Sequence, residues 1–165
     1  MLKKVLKRTF QILLLAFVVI QFFRPAKNKA EGISNKDISK IYAVPADVST
    51  ILKTSCYDCH SNNTVYPWYA EIQPVAWWLN KHIADAKKDL NFSEFAGYSL
   101  RKQYHKLEET DEMVRKGEMP HDKYLWMHKN AKLSENQRLT IYNWVSDVMN
   151  SMKAKYPIDS LVRKK

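Results

Sequence analysis

Hydrophobic and polar positions along the chain follow two regimes. Residues 9–23, TFQILLLAFVVIQFF, carry no charge. Beyond about residue 45, apolar side chains instead recur at intervals of three, four and seven, the period of helices with one buried face. Four segments show it. Residues 46–56 follow Pro45 and place Val48, Ile51 and Leu52 on one face. Residues 74–90 place Val75, Trp78, Leu79, Ile83 and Ala86 at helical spacing, with Pro74 acceptable in a first turn. Residues 98–116 do the same with Leu100, Tyr104, Leu107 and Val114. Leu133-Ser134-Glu135-Asn136-Gln137 has the capping-box pattern and opens a helix carrying Leu139, Tyr142, Trp144, Val145, Val148 and Met149. With three glycines in the chain and helical periods throughout, the expected fold is all-α.

Residues 24–44 are polar and aperiodic, which predicts a spacer. The chain thus divides into an apolar segment (1–23), a spacer (24–44), one helical domain (45–155) and a basic tail (156–165). A length of 165 residues suits one core, not two. Lys3, Lys4, Lys7 and Arg8 precede the apolar run, and the following RPAKNKAEG offers no small-x-small cleavage triplet. Such a layout predicts an uncleaved signal-anchor with the domain on the periplasmic or extracytoplasmic side. The run is shorter than the roughly 20 residues of a comfortable span, so the flanking cations would have to snorkel. The charge of +10 adds little to this picture. Residues 1–45 hold 9 Lys/Arg against 2 Asp/Glu and residues 46–165 hold 18 against 15, so most of the surplus belongs to the N-terminal 45 residues. A nucleic-acid partner is not expected.

Candidate chemistry concentrates in SCYDCHSNNTVYPWY, residues 55–69, which contains the only two cysteines. An isolated C-x-x-C could be a redox dithiol, half a zinc site or a disulfide. Zinc lacks further ligands in a tidy cluster, and a thioredoxin-like motif requires a preceding strand where a helix is predicted. His60 directly after Cys59 makes the motif C-x-x-C-H, the pattern of covalent c-type haem attachment. One helical turn brings the Cys56 and Cys59 sulfurs to one side, where they can meet the two vinyl groups of a porphyrin edge, and His60 projects toward the iron. Candidates for the opposite side are Met113, Met119, Met127, His82, His105, His121 and His128. Met119 is preferred because Gly117 ends a helix and Pro120 fixes a loop. Met127 reads as a core filler, and His82, His105 and His128 as surface or satisfied histidines. Trp68, Tyr69, Trp77 and Trp78 are expected to line the haem, beside Tyr66 and Trp126. Pro67 and Pro74 are candidates to accept from the second nitrogen of His60. Residues 108–112, EETDE, read as a solvated helix face.

The motif order, with CYDCHSNNTVYPWYAEIQPVAWWLNKHI, NFSEF, HKLEE and GEMP, resembles the haem-binding domain family of anchored envelope proteins of bacteria. The family often carries a second proline after Met-Pro, where this chain has His121. The resemblance implies a cytochrome c-like helical domain around one haem c, attached through Cys56 and Cys59 and ligated by His60 and Met119. A methionine filling the sixth position predicts a one-electron carrier rather than an enzyme, with unidentified redox partners in the envelope. The alternatives are a peroxidase subunit and a gas or redox sensor with a displaceable distal ligand.

Overall fold

In the computed structural model, which describes residues 1–162, helices joined by short turns follow one another along the chain. They are α1 (Leu2–Ile20), α2 (Ala46–Ser55), α3 (Tyr57–His60), α4 (Val75–Asp89), α5 (Leu100–Lys116), α6 (Asp122–Leu125), α7 (Glu135–Lys155) and α8 (Ile158–Leu161). Short 3-10 segments lie at Ile38–Lys40, Trp68–Glu71, Phe92–Gly97 and Lys129–Ala131. Among the described residues there is no strand, and one isolated antiparallel bridge joins Lys29 to Asn63.

The caps explain the boundaries. Ser99 accepts from the Lys102 amide to open α5. Gly117 closes it at φ 72°, a left-handed conformation that glycine adopts without strain, and its amide donates to the Met113 and Val114 carbonyls. At the start of α7, Ser134 Oγ accepts from the Gln137 amide at 3.2 Å while Gln137 Oε1 accepts from the Ser134 amide at 2.9 Å. The expected capping box is present.

The core is built where α2, α5 and α7 meet. α2 and α5 each pack on α7, and Val48, Ile51 and Leu52 of α2, Tyr104, Leu107 and Val114 of α5, and Ile141, Trp144, Val145, Val148 and Met152 of α7 belong to one buried cluster. Two predicted faces are turned from expectation. In α7 the buried stripe runs 141, 144, 145, 148, 152, a straighter i, i+3, i+4 row, and Leu139 and Tyr142 fall off it into solvent. In α4 it is Ala76 and Ile83 that are buried, whereas Val75 and Trp78 are exposed.

The spacer is folded onto the domain. Ile38 is completely buried, Tyr42 and Val44 pack against the core, and Asp37 accepts from Ser39. Hydrogen bonding holds this segment more than apolar periodicity does, so its pattern reads as loop. The C-terminal tail is anchored likewise: Leu161 of α8 is buried against α5 and α7. Residues 163–165 of that tail lie outside the described residues. α1 starts at Leu2, ahead of the apolar run, because Lys, Leu and Arg are good helix formers and no breaker intervenes. None of its residues is buried. No helix among the described residues is long and apolar enough to cross a membrane.

Candidate functional site

Cys56 departs from helical geometry at the end of α2, and α3 is the single turn that follows. The Cys59 and His60 amides both donate to the Cys56 carbonyl, at 3.2 and 2.9 Å, so the two thiols and the imidazole share one turn. Side chains of high hydrogen-bonding capacity pin it. Ser55 Oγ donates to the Ala131 carbonyl at 2.9 Å, Ser61 Oγ to the Tyr57 carbonyl at 2.7 Å, and Thr64 Oγ1 to the Asp58 carbonyl at 2.7 Å. The Asp58 carboxylate accepts from the Val65 amide and the Tyr124 hydroxyl, each at 2.8 Å. From the former spacer, Asn28 Nδ2 donates to the Ser61 carbonyl at 2.8 Å.

Both cysteines are unpaired thiols. Burial, reinforced by Cys59, pushes the Cys56 thiol up to about 12, and burial with the nearby Asp58 carboxylate pushes Cys59 up to about 11. Both stay protonated at neutral pH, opposite to the lowered pKa of a redox dithiol. Nor does a cluster of three or more His, Cys, Asp or Glu suited to a metal ion occur among the described residues. Burial lowers the His60 pKa despite the opposing pull of the Leu90 carbonyl. The ring is therefore neutral, and its Nδ1 lies 3.0 Å from the Leu90 oxygen. A carbonyl can only accept, so Nδ1 carries the proton and Nε2 keeps a free lone pair. The expected partners Pro67 and Pro74 give way to Leu90. As the residue capping α4, Leu90 has a carbonyl with no place in the helix ladder. Sequence locates that helix end but not what lies beside it.

A half-open cleft of about 120 Å³ adjoins this turn. Cys56, His60, Leu90, Phe92, Thr110, Met113, Val114 and Met119 line it, together with Asp89, Lys106 and Glu109. Lys106, its side chain 10% exposed, donates to Asp89 at 2.6 Å and Glu109 at 2.5 Å. Burial opposes its charge, but the two carboxylates outweigh that and raise its pKa. Met119 reaches the cleft from the predicted loop; its amide donates to the Met113 carbonyl at 3.2 Å and Pro120 behind it is buried. Met113 is a second thioether in the same cleft. Its spacing from Thr110 and Val114, one helical face, was the legible signal.

The remaining candidates are placed as follows. Tyr69 is half-buried on the Cys59 side, its ring 6.3 Å from His128, which stacks on Tyr124 at 4.0 Å. Burial, Asp58 and Cys59 raise the Tyr69 pKa. Trp68 meets Tyr69 edge-on at 5.8 Å and is otherwise exposed. Trp77 and Trp78 are also exposed, and none of these three tryptophans lines the cleft. Trp77 Nε1 donates to the Phe23 carbonyl at 2.7 Å, and Trp78 lies 4.1 Å from the His82 ring. Met127 is exposed rather than a core filler, since α6 ends just before it and leaves it on a surface turn. His121 is exposed and caps α6, accepting from the Lys123 amide. The acidic run is only partly a solvated face: Glu109 turns onto Lys106, and Asp111 is buried with Arg115 at 2.6 Å.

A neutral imidazole with its outer nitrogen free, apolar side chains and two thioethers lining the same cleft, and two protonated thiols on the same turn are a donor set that fits a haem. A family model described as a haem-binding domain matches residues 15–147. The chain belongs to this haem-binding domain family. The match begins within α1 and runs through the folded segment 24–44 into α7. No curated protein and no solved structure gives a significant match. The family and the fold together make this an all-helical haem-binding domain.

Proposed function

We propose that the protein is a one-electron carrier whose haem is held covalently, as in c-type cytochromes, within a cytochrome c-like set of helices. One observation carries the reading. Two protonated thiols and a neutral imidazole share a single turn, and that imidazole borders a cleft also lined by methionine thioethers. Cys56 and Cys59 would hold the group by thioether bonds, His60 through Nε2 and Met119 through its sulfur. When bound, the haem supplies a reversible ferrous–ferric couple. The chain's own residues do the rest. The Leu90 carbonyl orients His60 and raises its basicity. Leu90, Phe92 and Val114 exclude water, and a soft thioether favours the ferrous state. Tyr69 and Trp68 would border the Cys59 side.

The same reading makes α1 an anchor. Residues 9–19 of α1, all exposed and apolar except Thr9 and Gln11, follow Lys3, Lys4, Lys7 and Arg8, and no residue of the helix is buried. The domain would then stand on the extracytoplasmic side and exchange electrons with redox proteins of the envelope.

The distal ligand is tested by the near-infrared sulfur-to-iron band of the oxidised protein. Met119→Ala is expected to abolish it and to lower the potential by tenths of a volt, within the range of about 0.8 V that axial ligands command. Met113→Ala and His121→Ala should leave the band in place. Loss in Met113→Ala alone would reassign the ligand to Met113. A wild type without the band that binds carbon monoxide when reduced would replace the carrier by a sensor with an open sixth position.

A further inference from the structure

α1 joins the domain through polar contacts centred on the buried Gln73, not through a loose tether. Gln73, completely buried, donates from its amide to Gln21 Oε1 at 2.9 Å, and Gln21 Nε2 donates back to the Gln73 carbonyl at 3.3 Å. Gln73 Nε2 and Trp77 Nε1 both donate to the Phe23 carbonyl, at 2.8 and 2.7 Å. Just beyond, Arg24 pairs with Glu71 at 3.1 Å and Lys27 joins the same carboxylate. Six satisfied polar contacts over so short a stretch fix the direction in which the helix leaves.

Around this joint stand Phe22, Phe23, Ile72, Val75, Trp77 and Trp78, all exposed. Scattered apolar residues need no explanation, but here they share the base of one helix. Trp77 has its N–H satisfied by the Phe23 carbonyl while its side chain stays exposed, an amphipathic combination that suits a membrane interface. Length points the same way. The charge-free part of α1, residues 9–20, makes a helix of about 18 Å, short of the roughly 30 Å hydrocarbon core. An apolar collar at its far end would make up part of that deficit. The cations at positions 3, 4, 7 and 8 suit anionic headgroups at the other end.

We infer that this collar is a lipid-docking face. The domain rests on one leaflet with Ile72, Val75, Trp77 and Trp78 in the interface, and the joint holds it there in one orientation. This rests on the reading of α1 as an anchor. The full-length haem protein, reconstituted in phosphatidylcholine vesicles with a minor fraction of phosphatidylglycerol, tests it with a lipid carrying a diazirine at the top of its acyl chain. Photolabel is expected in residues 72–78 as well as 9–23. Val75→Ser with Trp78→Ser, which changes only exposed side chains, should lower labelling of 72–78 severalfold. Gln73→Ala with Trp77→Phe should do the same by loosening the joint, while 9–23 stays labelled. Label confined to 9–23 in the wild type would overturn the docking face and leave the anchor standing. Unchanged labelling in both variants would likewise overturn it. Protein that does not sediment with the vesicles would remove the anchor, and the docking face with it.

Discussion

Cys56 and Cys59 show how burial selects among chemistries that spacing leaves open. A C-x-x-C pair can serve several ends, and a pKa of about 11 at Cys59 in place of the ordinary 9.0 makes thiolate scarce. Two pK units correspond to about a hundredfold less thiolate at neutral pH. The haem-free chain is therefore expected to react with iodoacetamide about a hundredfold more slowly than the same chain in urea, with Cys59 responding to rising pH before Cys56. Equal rates with and without urea would show that the thiols are not shielded. The motif residues were legible because the proposed attachment and ligation would impose their spacing on the sequence itself. Leu90 was not, since its contribution is a backbone oxygen that any residue could supply. Trp77 and Trp78 were assigned to the cofactor by type, and only the structure places them at the base of α1.

At the scale of elements, the segment 24–44 separates a tether from a folded strap. Ile38 is completely buried beside Phe92 and Phe95 in the core. Its replacement by alanine should destabilise the domain by about 2–5 kcal/mol, read as a shift in denaturation midpoint of the holoprotein. A shift below about 0.5 kcal/mol, the size of an ordinary surface change, would mean that the segment is a tether after all. The long helices α2, α4, α5 and α7 were legible because caps, periodicity and the glycine at 117 agree with one another. α3, α6 and α8, four residues each, were not. One turn gives no period to detect, and their stability comes from packing rather than propensity. The solvent-facing turn of Trp78 was missed for another reason: periodicity marks an apolar face without saying whether protein or lipid covers it.

For the whole molecule, charge, apolar run and haem site form one arrangement, in which the cations lie at one end of α1 and the hydrogen-bonded joint at the other. Seven of the ten surplus positive charges fall in residues 1–45, so residues 46–165 are nearly balanced. The central claim is that this haem-binding domain holds its haem through Cys56 and Cys59. Acid–acetone extraction followed by the visible spectrum of the reduced protein in alkaline pyridine tests it most directly. The account predicts that the colour stays with the polypeptide, shows the band position of a haem whose vinyl groups are saturated, and is lost to the solvent in a variant lacking both cysteines. Haem that extracts completely from the wild type, with the spectrum of an unmodified macrocycle, would contradict it.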